Sequence, residues 1–259
     1  MVFTASAEIR VTTRHTMKQA TTGTLSYRAA DSVAPQPQLR LHTTDFRYTG
    51  DTDLSAPGGI ATVYRELAAD ESRNQQILGD VMDALERGRH CLVLTQWTGH
   101  LEHLAELLHE RGHDPVVLRG AMGAKARVAA LSRLDAQAAK TPLLVVATGS
   151  YIGEGFDCPA LDALFLTAPI AFKGRLVQYV GRVMRPYPGK TTAEVHDYHD
   201  TATGVIASSL SKRAAGYTSL RISRPTPDLN QEIGGRGPAI SPKRLDVQRH
   251  LARLPSQVY

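Results

Sequence analysis

Two cysteines are all that the 259 residues contain, Cys91 and Cys158, far apart and outside any Cys-x-x-Cys spacing. Neither a disulfide framework nor a thiolate zinc site is indicated. Both residues adjoin apolar runs and read as buried free thiols. Long hydrophobic runs are missing as well. No stretch approaches the roughly 20 apolar residues that cross a bilayer, and neither end has the apolar run of a signal peptide. A cytoplasmic protein with no membrane partner is the expectation. No internal repeat is visible.

The composition that remains, 42% hydrophobic and 21% charged, fits a soluble globular chain long enough to bury a core. Its net charge of +5 sits in the flanks: residues 1–50 and 223–259 each hold six basic and three acidic side chains, while the middle is close to neutral. That distribution accommodates nucleic-acid binding without demanding it, because basic tails also arise for blander reasons. Three divisions follow. Residues 1–55 read as an irregular lead-in or linker, with weak strand signals at 8–11 and 39–42. Residues 56–220 carry the folded pattern, and residues 221–259 form a basic Pro/Gly-rich tail expected to be mobile.

Within the middle division, helical spacing predicts helices over 60–68 and 72–87, the second with Ile77, Val81 and Leu85 on one face and Gly88 at its end. Short apolar runs at 91–95, 116–118, 143–147, 163–167 and 193–198 read as strands. They alternate with helices near 101–112, 125–138, 173–184 and 203–215. In the helix over 125–138, Val128, Leu131 and Leu134 are expected to face inward. This alternation predicts an α/β fold, a parallel sheet with helices on both faces, and ligands at the carboxyl ends of its strands. Thr95, Gly120, Thr148 and Asp157 are placed there.

The most informative stretch is 143–186. Its first strand leads into Ala147-Thr148-Gly149-Ser150-Tyr151-Ile152-Gly153-Glu154-Gly155-Phe156-Asp157; its second leads into a helix carrying Gln178-Tyr179-Val180-Gly181-Arg182-Val183-Met184-Arg185, stopped by Pro186. These two segments resemble motifs V and VI of the C-terminal RecA-like domain of superfamily 2 helicases, the DEAD/DEAH-box and restriction-type enzymes. Upstream, the segments 91–97 and 116–123 are similar to motif IV and its neighbour. The resemblance covers roughly residues 80–217.

It implies ATP with Mg²⁺ as the nucleotide and nucleic acid, DNA rather than RNA, as the partner. Arg182 and Arg185 would be arginine fingers, three apart on one helix face, suited to polyphosphate by planar, permanently charged donors. The alternative for both is a solvated helix surface. Gly155, Asp157 and Gln178 would contact nucleotide, with Asp157 on the ribose, although an Asp before Pro159 can equally cap a short turn. Thr95, Gln96, Arg119, Gly120 and Thr148 would follow a nucleic-acid backbone, contacts that position a strand without reading it; each is also ordinary turn chemistry. Trp97 could stack on a base, but such residues more commonly cap a core.

Other motifs are set aside. His109-Glu110-Arg111-Gly112-His113 matches the HExxH zinc pattern, yet Gly112 and Pro115 end the helix between the histidines. Gly189-Lys190-Thr191 lacks the earlier glycine of a phosphate-binding loop and reads as a turn. His196 and His199 read as exposed residues at a strand end. No GxxxxGK[ST] occurs, and no DExx box follows a buried strand. The chain is therefore expected to be inactive alone, the C-terminal motor half awaiting a complementing N-terminal helicase domain that would hold the phosphates and Mg²⁺. The alternatives are a non-catalytic nucleic-acid-binding or regulatory module, and a truncated inactive remnant.

Overall fold

In this computed structural model, which describes residues 34–138, 142–153, 156–170, 173–220 and 222, six strands form one wholly parallel sheet. In chain order the elements are β1 (Gln36–Thr43), α1 (Gly59–Ala69), α2 (Glu71–Glu86), β2 (Cys91–Thr95), α3 (Thr98–Glu110), β3 (Val116–Leu118), α4 (Ala124–Ala138), β4 (Leu144–Thr148), α5 (Gly149–Gly153), β5 (Ala163–Leu166), α6 (Lys173–Val183), β6 (Thr192–His199) and α7 (Gly204–Ser219). The sheet order is β1-β6-β5-β2-β4-β3. Strands β2, β4 and β5 are buried at every position, which is why they read as unbroken apolar runs rather than alternating ones.

Alternation sends successive side chains to opposite faces and builds two cores. Leu92, Leu94, Val145, Ala147, Leu164, Leu166 and Val195 meet Tyr151, Leu176, Tyr179, Val180 and Val183 of α5 and α6. Cys91, Val93, Val146 and Phe165 meet Ile77, Val81, Leu101 and Leu104 of α2 and α3. Both cysteines are free and buried. α2 starts where Asp70 accepts the Arg73 N–H at 2.8 Å, a side-chain N-cap.

Three expectations are corrected. The lead-in is not wholly outside the sheet: β1 pairs with β6 from Gln36↔Thr192 to Thr43↔His199, and the following Thr44 and Phe46 are buried. Its signal at 39–42 is weak because this edge strand buries little more than Leu39. The earlier strand signal at 8–11, the tail from 223 onward and Gly155 lie outside the described residues. On α4, Leu134 is 3% exposed, but Val128 is 63% and Leu131 38% exposed. The helix packs on the three-residue edge strand β3, and its inward stripe runs through Ala130 and Leu134, four apart, instead of through 128 and 131.

The third correction concerns β6. His196 and His199 are buried, not exposed, because β1 covers the strand that sequence alone places at the edge. On the α2 face, Glu194, His196 and Tyr198 join His42, Asp80 and the arginines Arg40, Arg87 and Arg89. His42 Nε2 lies 3.0 Å from His196 Nδ1, His196 Nε2 lies 3.1 Å from Glu194, and the Tyr198 hydroxyl donates to Asp80 at 2.9 Å. Burial raises Asp80 to about 6 and lowers His42 to about 4. Burial also pushes Glu194 upward, but the His196 hydrogen bond with Arg40 and Arg87 outweighs it and holds the carboxyl well below its usual range. On the other face Asp197 accepts the Tyr217 hydroxyl at 2.7 Å and pairs with Arg213 at 3.1 Å, tying α7 to the sheet.

Candidate functional site

Parallel strands put all their carboxyl ends on one edge, and there the chain gathers Gln96, Gly120, Thr148 and Ser150. The Gly120 N–H donates to Thr148 Oγ1 at 3.3 Å, and Thr148 and Ser150 hydroxyls lie 3.2 Å apart. Gly149 is required by close approach: a Cβ there would overlap the Tyr179 hydroxyl and sit 2.8 Å from Gln96 Nε2. Arg119 begins beside this group but turns its guanidinium to Glu102.

Within that group only Ser150 is exposed and Thr148 is itself buried; Thr95 lies apart from it. It is fully buried, and its hydroxyl lies 2.9 Å from His100 Nδ1. The Asn74 amide donates to the Ala68 carbonyl at 3.0 Å, which turns its oxygen toward His100 Nε2, also at 3.0 Å. His100 therefore carries its proton on Nε2 and accepts the Thr95 hydroxyl proton on Nδ1. Burial lowers His100 to about 3 and keeps it neutral. Thr95 thus locks β2 to α3 and to the start of α2, and its donor is spent. Trp97 packs with Tyr64, ring centroids 5.5 Å apart, in a small cluster with Phe46 and Ile206.

A second constellation forms where the segment before β5 meets the end of α6. The helix stops at Val183, so Arg182 stands on its last turn while Arg185 lies beyond it. Arg182 is thus placed by the helix and Arg185 by the segment that leaves it. Arg185 pairs instead with Asp157 at 2.5 Å, both side chains nearly half exposed, 42% and 45%. Asp157 is not at a strand's carboxyl end: it precedes β5, and its neighbours Pro159 and Leu161 meet the residues that enter β6. Gln178, on the exposed side of α6, donates to the Gly153 carbonyl at 3.2 Å and links the two motif segments. Guanidiniums with one carboxylate already paired suit an anion and offer no ligand set for Mg²⁺.

Sequence reasoning missed Lys190. Pro188-Gly189 forms a turn in which the Lys190 N–H bonds the Tyr187 carbonyl at 3.0 Å and Gly189 adopts φ 78°, the type II pattern. This points the ammonium inward, where it donates to the carbonyls of Pro159 at 2.9 Å, Leu161 at 2.6 Å and Arg185 at 3.0 Å. The Pro-Gly pair was the available signal. Arg73 was missed too: buried, it pairs with Asp200 at 2.8 Å and donates to the Thr167 carbonyl at 2.8 Å. The HExxH match dissolves, since α3 ends at Glu110 and Gly112 takes a left-handed φ of 81° before His113.

A six-stranded parallel sheet with helices on both faces, and a glycine loop and an arginine-bearing helix meeting beside it, define a RecA-like α/β domain. Residues 74–187 match the helicase conserved C-terminal domain. Over 147 residues the chain is 29% identical to transcript termination protein A18 of Vaccinia virus (strain Ankara) and to transcript termination protein OPG145 of Variola virus. Those alignments cover 51% of this chain and 27% of the viral proteins, so the chain spans about a quarter of the relatives it matches. The crystal structure of T4 UvsW has the same fold, with a TM-score of 0.54 and 17% identity over 72% of this chain and 40% of that one. Among the described residues no helix is long and apolar enough to cross a membrane.

Proposed function

We propose that this domain is the C-terminal motor half of an ATP-dependent helicase or translocase acting on nucleic acid, with DNA the expected strand. It works against an N-terminal ATP-binding domain, in the same longer polypeptide or in a separate one. The observation that carries this reading is the half-exposed Arg185–Asp157 pair, held where the motif V and motif VI segments meet. A half-exposed guanidinium can exchange a carboxylate for a phosphate, to which it offers the same planar donors. Arg182 and Arg185 then face the transferred phosphate and Asp157 the ribose, while Gln96, Gly120 and Thr148 follow the nucleic-acid backbone, with Arg119 beside them once released from Glu102. Gly155 and Gln178 belong to the nucleotide side, and Thr95 acts through its buried bond to His100.

The test is nucleic-acid-stimulated ATP turnover by the chain joined to or mixed with an N-terminal helicase domain. Arg185→Ala is expected to lower it by about 10³-fold or more, the scale of a lost arginine finger, with the circular-dichroism spectrum unchanged. Unchanged turnover would refute the role. A non-catalytic nucleic-acid-binding module that reuses the fold is the second reading. It predicts salt-sensitive DNA binding with no turnover under any pairing of domains.

A further inference from the structure

The Lys190 ammonium has three protons, and each has a carbonyl acceptor between 2.6 and 3.0 Å away. Those carbonyls come from two segments. Pro159 and Leu161 follow Asp157, and the third carbonyl is that of Arg185 itself. The connections close a ring: Asp157 side chain to Arg185 side chain, Arg185 carbonyl to Lys190, and Lys190 to Pro159, two residues from Asp157. Neither segment is regular where the ring passes, because α6 has ended and β5 has not begun. Their relative placement therefore depends on whatever bridges their backbones, and Lys190 bridges them with three bonds.

We propose that Lys190 is a positioning residue that sets the Asp157 segment against the end of α6 and so fixes where the Arg185 guanidinium stands. The proposal rests on the reading of Arg185 and Asp157 as nucleotide-facing groups and names what places them. Lys190 itself touches no substrate. Its burial lowers it to about 8, opposed by the nearby Asp162 and Cys158, in keeping with an ammonium enclosed by carbonyls rather than displayed to solvent. Lysine suits the task because its three donors diverge tetrahedrally from one atom, whereas a planar guanidinium would send its donors into a fixed fork.

The first experiment uses the full chain alone. The Arg185 Nε–H resonance, assigned by its loss in Arg185→Ala, is compared in wild type, Asp157→Asn and Lys190→Met. The folded Lys190→Met chain is expected to show the resonance shifted to its position in Asp157→Asn, the pair being lost in both. A resonance left at its wild-type position in folded Lys190→Met overturns the proposal. Should that variant not fold, Lys190→Gln, which keeps two donors, is read by the same criterion.

The second experiment is turnover with an N-terminal domain supplied. Lys190→Met is expected to lower kcat roughly 10- to 100-fold, as a misplaced catalytic group does, and to cost nothing further in an Arg185→Ala background. Equal losses in both backgrounds mean that Lys190 does not act through Arg185 and overturn the proposal. If Lys190→Met shifts the resonance while Arg185→Ala leaves turnover unchanged, the positioning role stands and the arginine-finger reading falls.

Discussion

Arg73 offers the sharpest test of what holds the functional edge together. It lies at the start of α2 with its side chain buried, its Nε 2.8 Å from Asp200 Oδ1 and its Nη1 donating to the Thr167 carbonyl at 2.8 Å. Asp200 also accepts the Thr44 hydroxyl at 2.6 Å, so one ion pair joins the ends of β1, β5 and β6 to α2. Replacing Arg73 by Met keeps most of the apolar stem but leaves Asp200 charged, buried and satisfied only by Thr44. The expected loss is about 3–5 kcal/mol, the usual result of breaking a buried pair from one side. Against a total stability of roughly 5–15 kcal/mol this brings the chain close to unfolding. The double variant Arg73→Met/Asp200→Leu removes both charges and is expected to lose no more than either single variant. Equilibrium urea unfolding measures this through the midpoint, with the slope unchanged. Losses that simply add would refute the coupling, and a loss below about 1 kcal/mol, typical of exposed pairs, would refute the burial on which it rests.

Two other predictions are of stability and of the glycine loop. His100 is held at about 3 and His42 at about 4 by burial, below the 6.5 of the unfolded chain. Their stabilising contribution is therefore complete above about pH 6.5 and is lost as pH falls toward those values. Asp80, raised to about 6, acts in the opposite sense: its contribution is complete below its unfolded value and is lost as pH rises through 6. The urea midpoint should fall between pH 6.5 and 4, less steeply in His100→Gln and more steeply in Asp80→Asn; a flat profile in wild type would contradict the assignment. Gly149→Ala should destabilise by about 1–3 kcal/mol through its clash with Tyr179 and Gln96. Tyr179→Phe, which removes the overlapping hydroxyl, should recover part of that loss in thermal unfolding, and no recovery would mean that the backbone rather than the hydroxyl is in the way.

What the sequence by itself determined is whatever is encoded locally. The apolar runs of β2, β4 and β5 declare a buried parallel sheet because strands covered on both faces need no polar positions. The glycine-spaced loop and the Gln178-to-Arg185 segment carry the resemblance to a helicase C-terminal domain because their spacing is contained within a few residues. The tertiary structure alone decided which residues meet across long separations. β1 showed only as a weak strand signal at 39–42 because it buries little more than Leu39, and its place beside β6 comes from pairing with a strand more than 150 residues away. That placement is what buries His196 and His199. Thr95 looks available as a strand-end hydroxyl until His100 and Asn74 converge on it, and Arg185 looks helical until α6 ends two residues early. Lys190 carries no signature beyond Pro188-Gly189 before it. Its three acceptors come from two separate segments, and a hydrogen bond depends on position in space, which neighbouring residues in the chain do not specify.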